Sequence, residues 1–204
     1  MNWLAHLYLS EPNPRFRIGN LLPDLVPMSA LSGLSPDLMR GVRQHRRIDA
    51  FTDTHPVVRR SISRVGPDFR RFGGILVDIF YDHFLARDWL SFSSTPLEIF
   101  IAEFYASLDG CRSEIPSEAL VHLERMQEMN WLYSYREVSG IRTALDRLGL
   151  RLRRPVPLGE AISVLQENYD VLYGDFSVFF PELVSHVGGT IGTRLKTEGV
   201  LPLA

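Results

Sequence analysis

Acidic and histidine side chains recur at a spacing of four residues in two stretches of this 204-residue chain. Residues four apart lie on the same face of an α-helix, so each stretch would present its polar groups together. Burying a carboxylate among apolar residues is costly unless an arginine pairs with it or it coordinates a metal ion. The residues concerned are His45, Asp49 and Asp53 in the first stretch and Asp78, Asp82 and His83 in the second.

Two further side chains of these kinds lie near the N-terminus. His6 interrupts an apolar stretch, and Asp24 ends the loop-like segment 19–24. Because Cys111 is the single cysteine, a metal site would use nitrogen and oxygen atoms, which suit Mn²⁺, Fe²⁺ or Mg²⁺, or Zn²⁺ at a catalytic centre. One such residue alone is more typical of a cap or an ion pair. The residues by themselves do not decide whether an arginine or a metal ion offsets the charge of the buried carboxylates.

Basic residues are concentrated in one part of the chain. The sequence has 22 basic and 24 acidic residues, a formal net charge of −2, yet nine arginines and only three acids lie between residues 40 and 71. This +6 segment is either a solvated helix face or a surface for phosphate or an acidic partner, since guanidinium binds phosphate in a bidentate fork. The negative total charge and the lack of a groove-reading motif argue against nucleic-acid binding.

The elements that must position these groups are helices. Ser35-Pro36-Asp37 has the residues of a helix start, and the apolar spacing predicts a helix from Pro36 to Thr54 that His55-Pro56 interrupts. A second helix, mostly buried, is predicted to open at Pro67-Asp68. Thr95-Pro96-Leu97-Glu98 has the pattern of a capping box.

Further periodic stretches begin at or near Ser117, Ser139 and Pro157. The sequence therefore predicts an all-α fold, a bundle of seven to nine helices with a loop-like span from Glu11 to Gly33. The glycine-rich residues 188–192 are predicted to form a flexible C-terminal connection.

The composition, with 45% hydrophobic and 23% charged residues, is that of one globular domain. We find no secretory signal and no run long enough to cross a bilayer, and the lone cysteine fits a reducing compartment, so we expect a cytoplasmic protein without a membrane partner. The sequence also lacks a phosphate-cradling glycine loop, a nucleophile elbow and the H-E-x-x-H zinc motif.

Four ordered segments carry a resemblance to a known family. They are residues 2–9, 19–24, 45–53 and 82–89, and the similarity continues to residues 180–181. Together they resemble the acyl carrier protein phosphodiesterase family. The resemblance assigns residues 1–185 to one domain and leaves residues 186–204 as an unassigned tail.

The resemblance implies a single-domain helical bundle with the architecture of the HD-domain phosphohydrolases. It also implies hydrolysis that removes the 4′-phosphopantetheine group from holo acyl carrier protein, an acidic protein substrate, with a divalent metal that is typically Mn²⁺. The dyad Asp82-His83 departs from the usual His-Asp order. Carried over by position, the implied metal ligands are His6, Asp24, His45, Asp49, Asp82 and His83.

Four residues are hypothesised to act in catalysis beside the metal. Asp24 is counted among them as well as among the ligands, and Asp53, which continues the face of His45 and Asp49, is the candidate base. Arg46 and Arg47 would clamp phosphate or meet the acidic helix of the carrier protein.

Two alternatives stay open. One is a metal-dependent phosphohydrolase of a small phosphoester or nucleotide. The other is a non-catalytic, arginine-rich helical module that binds an acidic protein. Stoichiometric metal in the purified protein would speak against the second alternative.

Overall fold

The core of the molecule is built around one deeply buried helix. In the computed structural model, which describes residues 1–188, all regular elements are helices. This helix, α6, spans Gly73–Arg87, is apolar on nearly every side and packs against the first, fifth, tenth and twelfth helices. The helices are α1 Trp3–Tyr8, α2 Pro14–Gly19, α3 Leu22–Leu25, α4 Pro36–Thr54, α5 Pro56–Ser63, α6 Gly73–Arg87, α7 Leu97–Ala106, α8 Ser117–Glu128, α9 Trp131–Ser134, α10 Val138–Arg151, α11 Ile162–Glu167 and α12 Tyr169–Gly188.

Short 3₁₀ turns join several of these helices. They cover Met28–Leu31, Arg70–Phe72, Trp89–Ser91, Asp109–Glu114 and Leu158–Ala161. The all-α prediction is confirmed. The expected total of seven to nine helices is too low, since the described residues contain twelve α-helices, of which seven have eight residues or more.

The predicted helix start and stop signals are confirmed in part. Helix α4 has the predicted bounds, and Pro56 restarts the chain as α5 after His55. Helix α6 begins at Gly73 instead of Pro67, because a turn and a 3₁₀ segment come first. The capping box is wrong: α7 begins at Leu97 with Pro96 at the N-cap, and no side chain caps it.

The span from Glu11 to Gly33 is not the predicted loop. It contains α2 and α3, and α2 begins with a cap that the sequence does carry. The side chain of Asn13 accepts a hydrogen bond from the amide of Phe16, and Pro14 occupies the first helical turn. A helix of six residues is too short to show a periodic apolar pattern, so only the cap could have revealed it.

Two glycines let α2 lie directly against α4. A Cβ at Gly19 would come within 2.1 Å of the carbonyl oxygen of Leu38. A Cβ at Gly41 would come within 2.2 Å of the carbonyl oxygen of Phe16. This contact fixes the segment that follows α2 against the middle of α4, where His45 lies.

Helix α12 covers the other side of α6. Its Phe176, Phe179 and Phe180 are fully buried, and Phe176 and Phe179 pack against Tyr81 of α6. The predicted domain end at residue 185 lies inside this helix. Of the predicted flexible connection, Gly188 is the last residue of α12 and the remainder lies outside the described residues. None of the described helices is long and apolar enough to cross a membrane.

Candidate metal centre

Three helices bring two histidines and two carboxylates to one point. We call these four residues, His6 of α1, Asp24 of α3, and His45 and Asp49 of α4, the His/Asp cluster. His45 and Asp49 are one helical turn apart, so α4 presents both from the same face. Both imidazoles are buried, while the two carboxylates are partly exposed.

Asp49 lies between the two imidazoles. Its Oδ1 is 3.3 Å from Nε2 of His6, and its Oδ2 is 2.9 Å from Nε2 of His45. Oδ1 of Asp24 is 3.6 Å from the same nitrogen of His45, and the two imidazole rings stack at 4.1 Å. Adjacent ligands of a metal bound at 2.0–2.2 Å are separated by about 3 Å, so these distances match the edges of a coordination shell.

Asn20 sets the orientation of both imidazoles. Its Nδ2 donates to the carbonyl of His6 and to Oγ of Ser10, so its Oδ1 accepts a hydrogen bond from Nδ1 of His6 at 3.1 Å. The main-chain oxygen of Asn20 accepts from Nδ1 of His45 at 2.8 Å. Each neutral ring therefore directs an unprotonated Nε2 at Asp49, which is how metal-binding histidines are held.

This arrangement aims electron pairs at one another. Nε2 of His6 faces the carbonyl of Met1 at 3.1 Å and a carboxylate oxygen of Asp49, and both of these are acceptors. When both rings are neutral, these facing acceptors need a cation between them. The donor set of His6, His45 and Asp49, whose ligand atoms all lie within 4.8 Å of one another, therefore fits a divalent metal with nitrogen and oxygen preference.

The protonation states of the cluster also suit a cation. Burial lowers the pKa of His6 and favours the neutral ring. Burial alone would raise the pKa of Asp49, but the hydrogen bonds that His45 and His6 donate when protonated, together with the positive amino group of Met1, hold that pKa far below its usual value, so this carboxylate is ionised. The cluster thus combines a neutral imidazole with a permanent negative charge.

The cluster opens into a cavity of about 280 Å³. Asp24, Asp49 and Asp78 line one part of it, and Asp78 of α6 is a residue that the predicted site did not include. The amino group of Met1 lies 3.3 Å from both Asp49 and Asp78. Burial would lower the pKa of this amino group, but the carboxylates raise it to about 10. The other lining is mainly apolar: Trp3, Ile75, Ile79, Trp131, Ala144 and Leu148.

Asp82 and His83, two of the six implied ligands, have other partners. The oxygens of Asp82 accept hydrogen bonds from the backbone amides of Leu4 and Ala5 at 2.7 and 3.0 Å, which caps the first turn of α1. The nitrogens of His83 are engaged by the carbonyl of Tyr135 and the hydroxyl of Tyr169. We therefore leave both residues out of the ligand set, and assign Asp82 to positioning the helix that carries His6.

The remaining candidates lie on the outer face of α4 and do not line the cavity. Asp53 is exposed, and its carbonyl accepts a hydrogen bond from Nε of Arg59. Arg46 is exposed beside the sulfur of Met28, and Arg47 donates to the carbonyl of His186. The structure thus separates these three residues from the cavity that the cluster opens into.

Comparison with known proteins supplies the family. A family model described as "Acyl carrier protein phosphodiesterase" matches residues 1–183, nearly the whole described chain. The chain belongs to this family. The resemblance seen in the four sequence segments is thereby confirmed.

Relatives that carry this name align with this chain over almost their full lengths. The acyl carrier protein phosphodiesterase of Pectobacterium atrosepticum is 31% identical over 192 residues, which is 90% of this chain and 96% of the relative. Those of Salmonella dublin and Salmonella agona are 32% and 31% identical over 186 residues. Each of these two alignments covers 91% of this chain and 96% of the relative. No solved structure matches the chain significantly.

Three of the four segments that carry the resemblance to the acyl carrier protein phosphodiesterases meet at the His/Asp cluster. Residues 2–9 include α1, residues 19–24 include Asn20 and Asp24, and residues 45–53 lie in α4. The fourth segment, residues 82–89, supplies Asp82, which holds α1 in place.

Proposed function

We propose that this chain hydrolyses the phosphodiester that joins 4′-phosphopantetheine to a serine of holo acyl carrier protein. Water supplies the oxygen of the new P–O bond, the bond from phosphorus to the serine oxygen breaks, and that oxygen receives a proton. Membership of the family supports the reaction class. The single observation that carries the proposal is the pair of imidazoles that Asn20 fixes with their Nε2 atoms directed at Asp49, at the edge of a cavity.

Four residues would hold a divalent metal, for which we propose Mn²⁺. His6, His45 and Asp49 form the donor set, and Asp24 is placed to complete it beside His45. When bound, such an ion lowers the pKa of a water ligand and neutralises charge on the phosphoryl oxygens. The absence of sulfur from the set favours Mn²⁺, Fe²⁺ or Mg²⁺ over a softer metal.

The other groups of the cavity suit the remaining tasks. Asp78 lines the cavity on the side of Met1, so we assign it, in place of Asp53, the transfer of a proton to the serine oxygen that leaves. Trp3, Ile75 and Leu148 offer an apolar wall to the methyl and methylene groups of the pantetheine arm. Arg46 and Arg47 do not line this cavity, so no phosphate-clamping role is assigned to them.

The ligand assignment is tested by His45→Ala and Asp49→Asn, with Asp109→Asn as the matched control, since the Asp109 side chain is 85% exposed. We expect both cluster variants to lose stoichiometric Mn²⁺ and to reduce turnover of holo carrier protein by more than about 100-fold, which exceeds the usual effect of losing a supporting partner. The control should retain both properties. Full metal content and activity in His45→Ala would reject the metal centre.

The substrate assignment is tested by comparing holo carrier protein with a panel of nucleotides under the same metal. The proposal predicts release of 4′-phosphopantetheine and slow or no turnover of the nucleotides. Turnover of a nucleotide alone would replace the proposed substrate with a small phosphoester. If the purified protein holds no metal and turns over none of these substrates, the non-catalytic module is favoured.

A further inference from the structure

Three arginines gather at and beside the cavity into which the His/Asp cluster opens. Arg147 and Arg151, one turn apart on α10, line the cavity, and both guanidinium groups lie over the ring of Trp131, at 4.6 and 5.8 Å from its centroid. Arg125 of α8 is close enough for its charge to act on Arg151. We call these three residues the α8–α10 arginine cluster. The ring of Trp131 stacks in turn on Trp3, so aromatic contacts hold the two α10 side chains at the cavity wall.

The positive charge of this cluster is not neutralised within the described part of the chain. Elsewhere six arginines each form an ion pair with a carboxylate: Arg15, Arg40, Arg60, Arg64, Arg87 and Arg112. The polar contacts of Arg147 and Arg151 are instead the sulfur of Met129 at 3.6 Å and Nδ1 of His122 at 3.5 Å. Burial, followed by the charges of Arg125 and Arg147, lowers the pKa of Arg151. Three like charges held together in this way favour a negatively charged partner.

The surroundings of the arginines point to a protein surface as that partner. Met129, which contacts Arg147, is 56% exposed, and Leu150 beside Arg151 is 74% exposed. Exposed apolar side chains among arginines are typical of protein interfaces, where methionine and arginine are enriched. A free phosphate ion would leave these apolar groups in water.

The arginine-rich segment 40–71 is less available than its composition suggests. Asp175 is buried and pairs with both Arg60 and Arg64, and Glu11 pairs with Arg40. These arginines satisfy acids of the same chain. The segment therefore holds less unbalanced positive charge in the folded protein than its sequence composition indicates.

We propose that the α8–α10 arginine cluster is the docking surface for acidic side chains of the carrier protein, next to its modified serine. This inference rests on the proposed function. A phosphodiester attached to a protein can reach the His/Asp cluster only when the surface of that protein lies against the rim of the cavity. Arg147 and Arg151 line that cavity and Arg125 adjoins them, so charge complementarity would orient the carrier as it docks.

The test uses Arg125→Gln/Arg151→Gln, which leaves the half-buried Arg147 in place. The matched control is Arg142→Gln/Arg154→Gln, which removes the same charge from exposed positions of α10 and the loop after it that do not line the cavity. Steady-state kinetics on holo carrier protein should show KM raised by about tenfold with a smaller change in kcat, since charged contacts at a rim act mainly on encounter. Hydrolysis of bis(p-nitrophenyl) phosphate, which carries no protein, should be unchanged in the single variant Arg125→Gln, because Arg125 does not line the cavity.

Fluorescence anisotropy of labelled apo carrier protein gives a readout that does not require turnover. The double variant should bind it about tenfold more weakly than the control, and the difference should shrink as salt is added. An unchanged KM and affinity, an equal loss in the control, or a parallel loss on the small diester would overturn the docking surface. Binding of the carrier without its hydrolysis would overturn the proposed function while leaving this surface supported.

Discussion

At the scale of single residues, the site depends on Asn20 as much as on the ligands themselves. Its side-chain oxygen accepts from His6 and its main-chain oxygen accepts from His45, so one residue sets the tautomer of both rings. The side-chain amide is itself fixed, because Nδ2 donates to the carbonyl of His6 and to Ser10. Asn20 is buried completely, which excludes water as a substitute partner.

Replacing Asn20 by alanine should therefore weaken metal binding without removing a ligand. We expect Asn20→Ala to reduce Mn²⁺ affinity by about 10- to 100-fold, because His6 loses the group that orients it. Isothermal titration calorimetry measures this, with Asn168→Ala, whose side chain bonds a helix carbonyl far along the chain, as the control. An affinity equal to that of the control would mean that Asn20 does not orient a ligand.

The charge state of His45 predicts how metal binding depends on pH. Burial alone would lower its pKa, but the hydrogen bond to Asp49 and the charge of Asp24 raise it above the ordinary value of 6.5. Because only the neutral ring can ligate, a metal must displace a proton below that pKa, and affinity should fall by about tenfold per pH unit there and level off above it. Asp24→Asn, which removes one raising charge, should move the plateau to lower pH.

Calorimetry in buffers of different ionisation enthalpy counts the proton directly. Release of about one proton per ion is expected below the raised pKa of His45. Affinity that stays constant through this range, with no proton released, would contradict the assignment of His45 as a ligand.

The sequence predicts those parts of the site that depend on contacts between residues close together in the chain. The spacing of His45 and Asp49 on one helix predicts that they share a face, and the structure brings them together. The roles of Asn20 and Asp82 arise from contacts with α1 across 14 to 78 residues, which no local pattern encodes. Asp78 and Asp82 are four residues apart, like His45 and Asp49, yet Asp78 lines the cavity and Asp82 caps α1.

At the scale of elements, the position of α1 is fixed by a carboxylate from α6. A six-residue helix has little stability of its own. Both oxygens of Asp82 accept hydrogen bonds from amides of its first turn, those of Leu4 and Ala5, which have no partner within the helix. Burial raises the pKa of Asp82 to about 7, against the effect of the two amides. The chain thus retains a costly buried acid at the point where α1 must be held for His6 to reach the cluster.

Removing this carboxylate should destabilise the fold and the site together. Asp82→Ala leaves two buried amides without acceptors, so we expect a loss of about 2–4 kcal/mol in the free energy of unfolding. Urea denaturation measures it, and Mn²⁺ affinity of the variant should fall as α1 loosens. Asp170→Ala, at an exposed position in the first turn of α12, is the control. Stability and affinity equal to the control would show that α1 does not depend on Asp82.

At the scale of the whole molecule, the sequence predicts the class of the fold better than its parts. The long helix α4 shows apolar periodicity and ends before Pro56, so both of its bounds are predicted well. For α6 the sequence predicts a mostly buried helix, but the helix begins at Gly73 instead of Pro67. The short helices α1, α2 and α3 are stabilised by packing and by distant partners, and α3 has no side-chain cap. Their sequences are too short to distinguish them from loops.

The charge distribution also changes meaning at this scale. Composition places the positive charge in residues 40–71, but Asp175 and Glu11, which are remote from that segment in sequence, pair with three of its arginines and offset two of their positive charges. The arginines of α8 and α10 come within electrostatic reach of one another only in the folded chain. Net charge along a sequence therefore locates a docking surface only after intramolecular ion pairs are known.

We propose that this fold cleaves the phosphodiester of a holo acyl carrier protein at the His/Asp cluster. The most direct test is the intact mass of holo carrier protein after incubation with the chain and Mn²⁺. We predict that the carrier loses the mass of the phosphopantetheine arm, leaving unmodified serine, and that a chelator prevents the loss. A carrier mass that stays unchanged with each of Mn²⁺, Fe²⁺, Mg²⁺ and Zn²⁺ would contradict this activity.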